Sequence, residues 1–98
     1  MKKFIKEKYA DLILQICTDH KNRKAADNGR ITVAVDRALE TLDKYSNYIL
    51  GMGYMLHMED VPYLKQCVQL AIKDGRFTLD MLDDVYRYLE YIETDGVY

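Results

Sequence analysis

Apolar residues recur along this chain at helical spacing almost from end to end. Ile5, Tyr9, Leu12, Ile13 and Ile16 fall at i, i+4, i+7, i+8 and i+11, one face of a helix of about 3.6 residues per turn. They predict a first helix over 2–22. The connection that follows holds Asn28 and Gly29, which take positive φ readily, and Thr32 as an N-cap. Val35, Ala38, Leu39, Leu42, Ile49 and Leu56 predict a second helix over 33–57. Pro62 suits the first turn of a third over 61–74, with Leu64, Cys67, Val68, Ala71 and Ile72 inside. Thr78 caps a fourth over 78–94, where Asp80 suits the helix dipole and Leu82, Val85, Leu89 and Ile92 face inward. No segment shows comparable strand alternation. The pattern predicts an all-α fold, a small antiparallel bundle of four helices in a single domain over 1–98.

One short motif occurs twice. Gly29-Arg-Ile-Thr-Val33 and Gly75-Arg-Phe-Thr-Leu79 each precede a helix, with Gly past one helix end, an apolar residue next and Thr at the cap. Phe77 could staple onto Leu82, although the equivalent of Leu82 is Asp36. Local turn chemistry accounts for the echo, and it suggests one joint used twice to build two helical hairpins.

The second helix changes character along its length. Asp36, Glu40, Asp43 and Asn47 oppose the inner stripe, but Tyr48 to Leu56 carries no charge at all. Tyr45, Tyr48, Met52 and Met55 then fill flanks that were polar one or two turns earlier. A helix that is apolar all round is buried all round. In a chain this small another copy can supply that cover, so a homodimer seam at Tyr45, Tyr48, Gly51, Met52 and Met55 is expected. Gly51 and Gly53 would permit close helix approach, and Met side chains suit adaptable contacts. On the fourth helix Asp84, Tyr88 and Tyr91 form an outward stripe at i, i+4 and i+7, on the side away from Leu89, with Asp80 and Arg87 nearby. Tyrosine favours contact surfaces, and nine Tyr in 98 residues prompts a search for a Tyr-rich patch.

Composition narrows the class. Hydrophobic residues at 49% and charged ones at 31% fit a folded domain, while five Gly and one Pro leave little for a turn-rich β-sandwich. Net charge is −2, but residues 1–30 hold eight Lys/Arg against four acids, and residues 31–98 hold six against twelve. A basic amino-terminal part therefore accompanies an acidic body, and the two attract within the fold or across a dimer. Lys6, Glu7, Lys8 and Asp11 interrupt any signal-peptide core, and no uncharged apolar run reaches the roughly 20 residues of a membrane span. Cys17 and Cys67 lie in apolar stripes and read as reduced core thiols of a cytoplasmic protein.

Candidate chemistry is thin. Glu40-x-x-Asp43 and Asp80-x-x-Asp83-Asp84 resemble, in spacing alone, the carboxylate pairs that hold Mg²⁺ in all-α nucleotide pyrophosphohydrolases. That likeness implies a metal-dependent nucleotide hydrolase. Glu40 and Asp43 project outward, however, without a dry cavity for a metal. His20 and His57 lack the partners that nucleophilic catalysis requires. The third and fourth helices have helix-turn-helix length, but the would-be recognition helix is acidic and phosphates would repel it. Lys21, Arg23, Lys24 and Arg30 offer a backbone-binding alternative for nucleic acid without sequence readout. The leading expectation is a non-enzymatic, protein-binding regulator with no metal and no cofactor. Its partner surface would be Asp80, Asp84, Arg87, Tyr88 and Tyr91. A sharper version is an inhibitor of the kind small mobile-element proteins supply, its acidic fourth helix filling a basic groove on a nucleic-acid-binding target.

Overall fold

The computed structural model describes residues 2–23, 29–42 and 54–94. Four helices occur among them: α1 (Glu7–Arg23), α2 (Arg30–Thr41), α3 (Val61–Lys73) and α4 (Leu79–Glu93). They are joined by a feature the helical periodicity does not predict. Strand β1 (Lys2–Phe4) pairs antiparallel with β2 (Met55–His57), placing Lys2 opposite His57, Lys3 opposite Leu56 and Phe4 opposite Met55. The fold is mostly helical with a small two-stranded ribbon, not purely α.

The ribbon corrects both ends of the expected helices. Lys2–Phe4 does not begin the helix expected over 2–22; α1 starts at Glu7, where the Lys6 carbonyl accepts from Tyr9 and Ala10 at 3.0 and 2.9 Å. Met55–His57 does not end the helix expected over 33–57. The physical reason is pairing between segments about fifty positions apart, which no local period reports. Once paired, the ribbon has two unlike faces. Ile5 and Leu56 enter the core, while Phe4 is left 51% exposed. Lys3 reaches across to the Ile92 carbonyl at 3.0 Å, a cation at the negative end of α4.

Helix α2 also starts early. Gly29 at φ +76° occupies the cap position, and its carbonyl accepts from Val33, so Thr32 lies inside the first turn rather than capping it. The earlier start brings Ile31 into one buried stripe with Ala34, Val35, Ala38 and Leu42. The expected remainder of that helix over 43–53 lies outside the described residues, as do Tyr45, Tyr48, Gly51 and Met52.

The last two helices follow the sequence more closely. A 3₁₀ turn at Met58–Asp60 leads into α3, with Pro62 in its first turn. Asp60 is buried and held by Arg37 of α2, which ties the start of α3 to the middle of α2. At the end of α3, Gly75 N–H meets the Ile72 carbonyl and Arg76 N–H meets the Ala71 carbonyl, at 3.1 and 3.0 Å. Gly75, at φ +69°, thus closes a Schellman motif. Thr78 caps α4 as expected, its hydroxyl accepting from Met81 N–H at 3.3 Å.

Helix α3 packs on α4, α1 on α2, and α2 on α3, with α1 also meeting α3 and α4. Ile13, Ile16 and Cys17 of α1, Leu64, Cys67 and Val68 of α3 and Leu89 of α4 surround a void of about 10 Å³. That is room for one water at most, so the centre is closely filled. Ile72, expected inside, is 39% exposed because Leu64, Val68 and Ala71 already complete the inner face.

Candidate partner-binding surfaces

The outward stripe expected on α4 divides. Tyr88 is only 8% exposed, and its ring stacks on Tyr9 of α1 with centroids 3.8 Å apart and planes 6° from parallel. Its hydroxyl accepts from the Lys6 backbone N–H at 3.1 Å. Tyr9 in turn donates to Asp84 at 2.9 Å, and Lys8 lies 3.4 Å from the same carboxylate. Burial and the neighbouring Asp84 charge push the Tyr9 phenol above its ordinary pKa. Tyr88 and Asp84 therefore belong to an internal joint between α4 and the start of α1. The sequence held the signal, since Tyr88 sits three residues after Val85 and four before Ile92, beside the buried stripe. Asp80, Arg87 and Tyr91 do remain outside, repeating at i, i+7 and i+11 along one line. Arg87 pairs with Asp83 at 3.0 Å, and Glu93 with Lys65 at 2.9 Å. Of the acids of α4, Asp80, Asp83, Asp84, Glu90 and Glu93, which the inhibitor reading turns toward a basic groove, Asp80 and Glu90 alone lack an ion-pair partner among the described residues.

A second surface was not legible in the sequence. Leu14, Gln15, Thr18, Asp19 and Asn22 on the outer flank of α1 face Phe77 across an open groove of about 440 Å³. Two features build it. Asp19 accepts from Arg23 Nε at 3.2 Å on one side and lies 3.1 Å from Arg76 Nε on the other. The Arg76 side chain is only 5% exposed. Its Nε is close enough to Asp19 for ion pairing but is not aligned for a hydrogen bond, and neither Nη has an acceptor among the described residues. A buried guanidinium held by one shared carboxylate is costly, so Asp19 is the charge that makes its burial tolerable. The second feature is Phe77, which takes φ +62° between the Schellman turn and the Thr78 cap. This conformation costs a non-glycine residue about 1–2 kcal/mol. It leaves Phe77 38% exposed at the groove instead of tucked away as the expected staple, while Leu82 goes to the core. Leu79, 66% exposed, lies two residues further on.

Met55 is half-buried in β2 rather than on a helix. Lys21 pairs with Asp36 at 3.0 Å, Arg23 with Asp19, and Arg30 donates to the Tyr63 hydroxyl at 2.9 Å, so these basic heads are engaged within the chain. Lys24 lies outside the described residues. Cys17 and Cys67 are buried and form no disulfide; burial pushes the Cys17 thiol well up, with Cys67 nearby adding to the shift. His20 is buried near the end of α1. Glu40, Asp80 and Asp83 are exposed, and no group of three or more His, Cys, Asp or Glu is gathered for a metal among the described residues. No described helix is long and apolar enough to cross a membrane. Compared with protein-family models, with curated proteins and with solved structures, the chain matches none.

Proposed function

We propose that this protein acts by binding another protein, as a small regulatory or inhibitory module, and that the groove between α1 and the α3–α4 joint is its seat. The observation that carries the reading is Phe77. A large aromatic ring is held towards solvent by a backbone conformation that itself costs free energy, at the mouth of a groove. A strained backbone that leaves such a ring 38% exposed is a pointer to a surface role. The groove wall mixes Leu14 with the uncharged donors and acceptors of Gln15, Thr18 and Asn22, a composition suited to a partner's side chains and backbone.

Replacing Phe77 by Asn tests this directly, because Asn tolerates positive φ and removes the ring. A partner captured by the wild-type chain should be lost by Phe77→Asn while helicity and melting temperature are kept. Tyr91→Asp provides the contrast. Capture abolished there and retained in Phe77→Asn would move the seat to the exposed line of α4.

A further inference from the structure

We propose that the outer edge of β1 accepts an extended, acidic segment of a partner protein as a third strand. This rests on the protein-binding reading but uses a surface away from the Phe77 groove. Register supplies the first argument. Ile5 N–H donates to the Tyr54 carbonyl at 2.9 Å, so Ile5/Tyr54 and, two residues on, Lys3/Leu56 are the hydrogen-bonded pairs. Lys2 and Phe4 are then the alternate pairs, whose N–H and C=O groups turn away from β2. Among the described residues they present an open edge, of the kind another strand completes.

Side chains supply the second argument. Strand alternation puts Lys2 and Phe4 on the outer face together with His57 and Met55, while Lys3, Ile5 and Leu56 face inward. Phe4 is half exposed beside half-buried Met55, an apolar seat for one side chain of an added strand. The charges around it are uneven. Lys3 is committed to the Ile92 carbonyl and Lys8 to Asp84. Lys2 and Lys6 are exposed and have no ion-pair partner among the described residues.

Charge also selects the occupant. A second copy adding antiparallel through the same edge, centred on Phe4, would set Lys2 against the Lys6 of the other copy and Lys6 against its Lys2, which like-charge repulsion opposes. An edge strand of the pattern acid–x–apolar–x–acid meets Lys2, Phe4 and Lys6 in turn. The Lys6 N–H is already taken by Tyr88, so the free edge ends there and the docked segment is short.

The test titrates the isotope-labelled full chain with the capped peptide Thr-Glu-Thr-Val-Thr-Glu-Thr, followed by amide resonances. Three further probes complete it: the same peptide N-methylated at the residues facing β1, a version with Lys for Glu, and oligothymidylate. Shifts centred on Lys2–Phe4 are expected, roughly tenfold weaker binding after N-methylation because edge hydrogen bonds are blocked, and none with the Lys version. Lys2→Glu with Lys6→Glu, both exposed sites, should reverse the preference between the Glu and Lys peptides. Equal affinity for the N-methylated peptide would reduce the effect to charge attraction and overturn the proposal. Tighter binding of oligothymidylate, or no shift at millimolar peptide, would overturn it as well. Either failure leaves Phe77-dependent capture intact if the groove reading is right, so the two can fail separately.

Discussion

Gly29-Arg-Ile-Thr-Val33 and Gly75-Arg-Phe-Thr-Leu79 are nearly the same five residues in two different structures. In the first, Gly29 is itself the cap of α2, Thr32 is inside the helix, Ile31 is buried and Arg30 lies exposed over the Tyr63 ring. In the second, Gly75 closes α3, Thr78 caps α4, Phe77 is exposed and Arg76 is buried against Asp19. The glycine does the same backbone work in both, at φ +76° and +69°. The arginine, the apolar residue after it and the threonine exchange roles, while Val33 and Leu79 are both exposed. What differs is the setting: the second joint ends α3 and begins α4 within five residues, and the described part of the first begins α2. The pentapeptide encodes a turn, and its surroundings decide which side chain is spent on the core.

Seven substitutions, grouped in four tests, probe the difference between the two joints. The largest effect belongs to the buried arginine. Asp19→Ala should destabilise the protein by about 3–5 kcal/mol by leaving Arg76 buried without its carboxylate. Adding Arg76→Met should restore most of that loss, which chemical denaturation of the single and double variants would measure. An additive pair of losses would mean that the two side chains act independently. Next come the glycines. Gly29→Ala and Gly75→Ala each face open space, so both should cost about 1–2 kcal/mol through the backbone alone. Thermal melts that differ widely between them would show that the two turns are not equivalent after all.

The threonines should separate more clearly. Thr78→Ala should cost about 1 kcal/mol with its cap, whereas Thr32→Ala removes no cap from α2 and should cost less. The smallest effect is expected at Phe77. Relief of the left-handed backbone in Phe77→Asn should offset the lost ring contacts to within about 1 kcal/mol. A large fall in melting temperature would show that the ring is structural and weaken its assignment to a partner surface.

Much of the helical framework was legible because its determinants are local. The stripes through Ile13 and Ile16, through Leu64 and Val68, and through Leu82, Val85 and Leu89 are periodic and are buried as the period implies. The Thr78 cap and Pro62 turn were legible for the same reason. The surfaces were read less well. With Leu89 on the inner face the spacing turns Tyr88 outward, yet the buried arc is wide enough to include this neighbour. Asp19 and Arg76 stand 57 positions apart, and nothing in either neighbourhood marks them as a pair.

Sequence alone determined where turns fall, which residues line each helix and that apolar area suffices for a core, since each follows from spacing and from backbone preferences within a few residues. Tertiary structure decided that Lys2–Phe4 is a strand, that one of two matching arginines is buried, and that Phe77 rather than Tyr88 meets solvent. Those outcomes depend on groups brought together from distant parts of the chain, where strand pairing, a shared carboxylate and competition for core volume outweigh local preference.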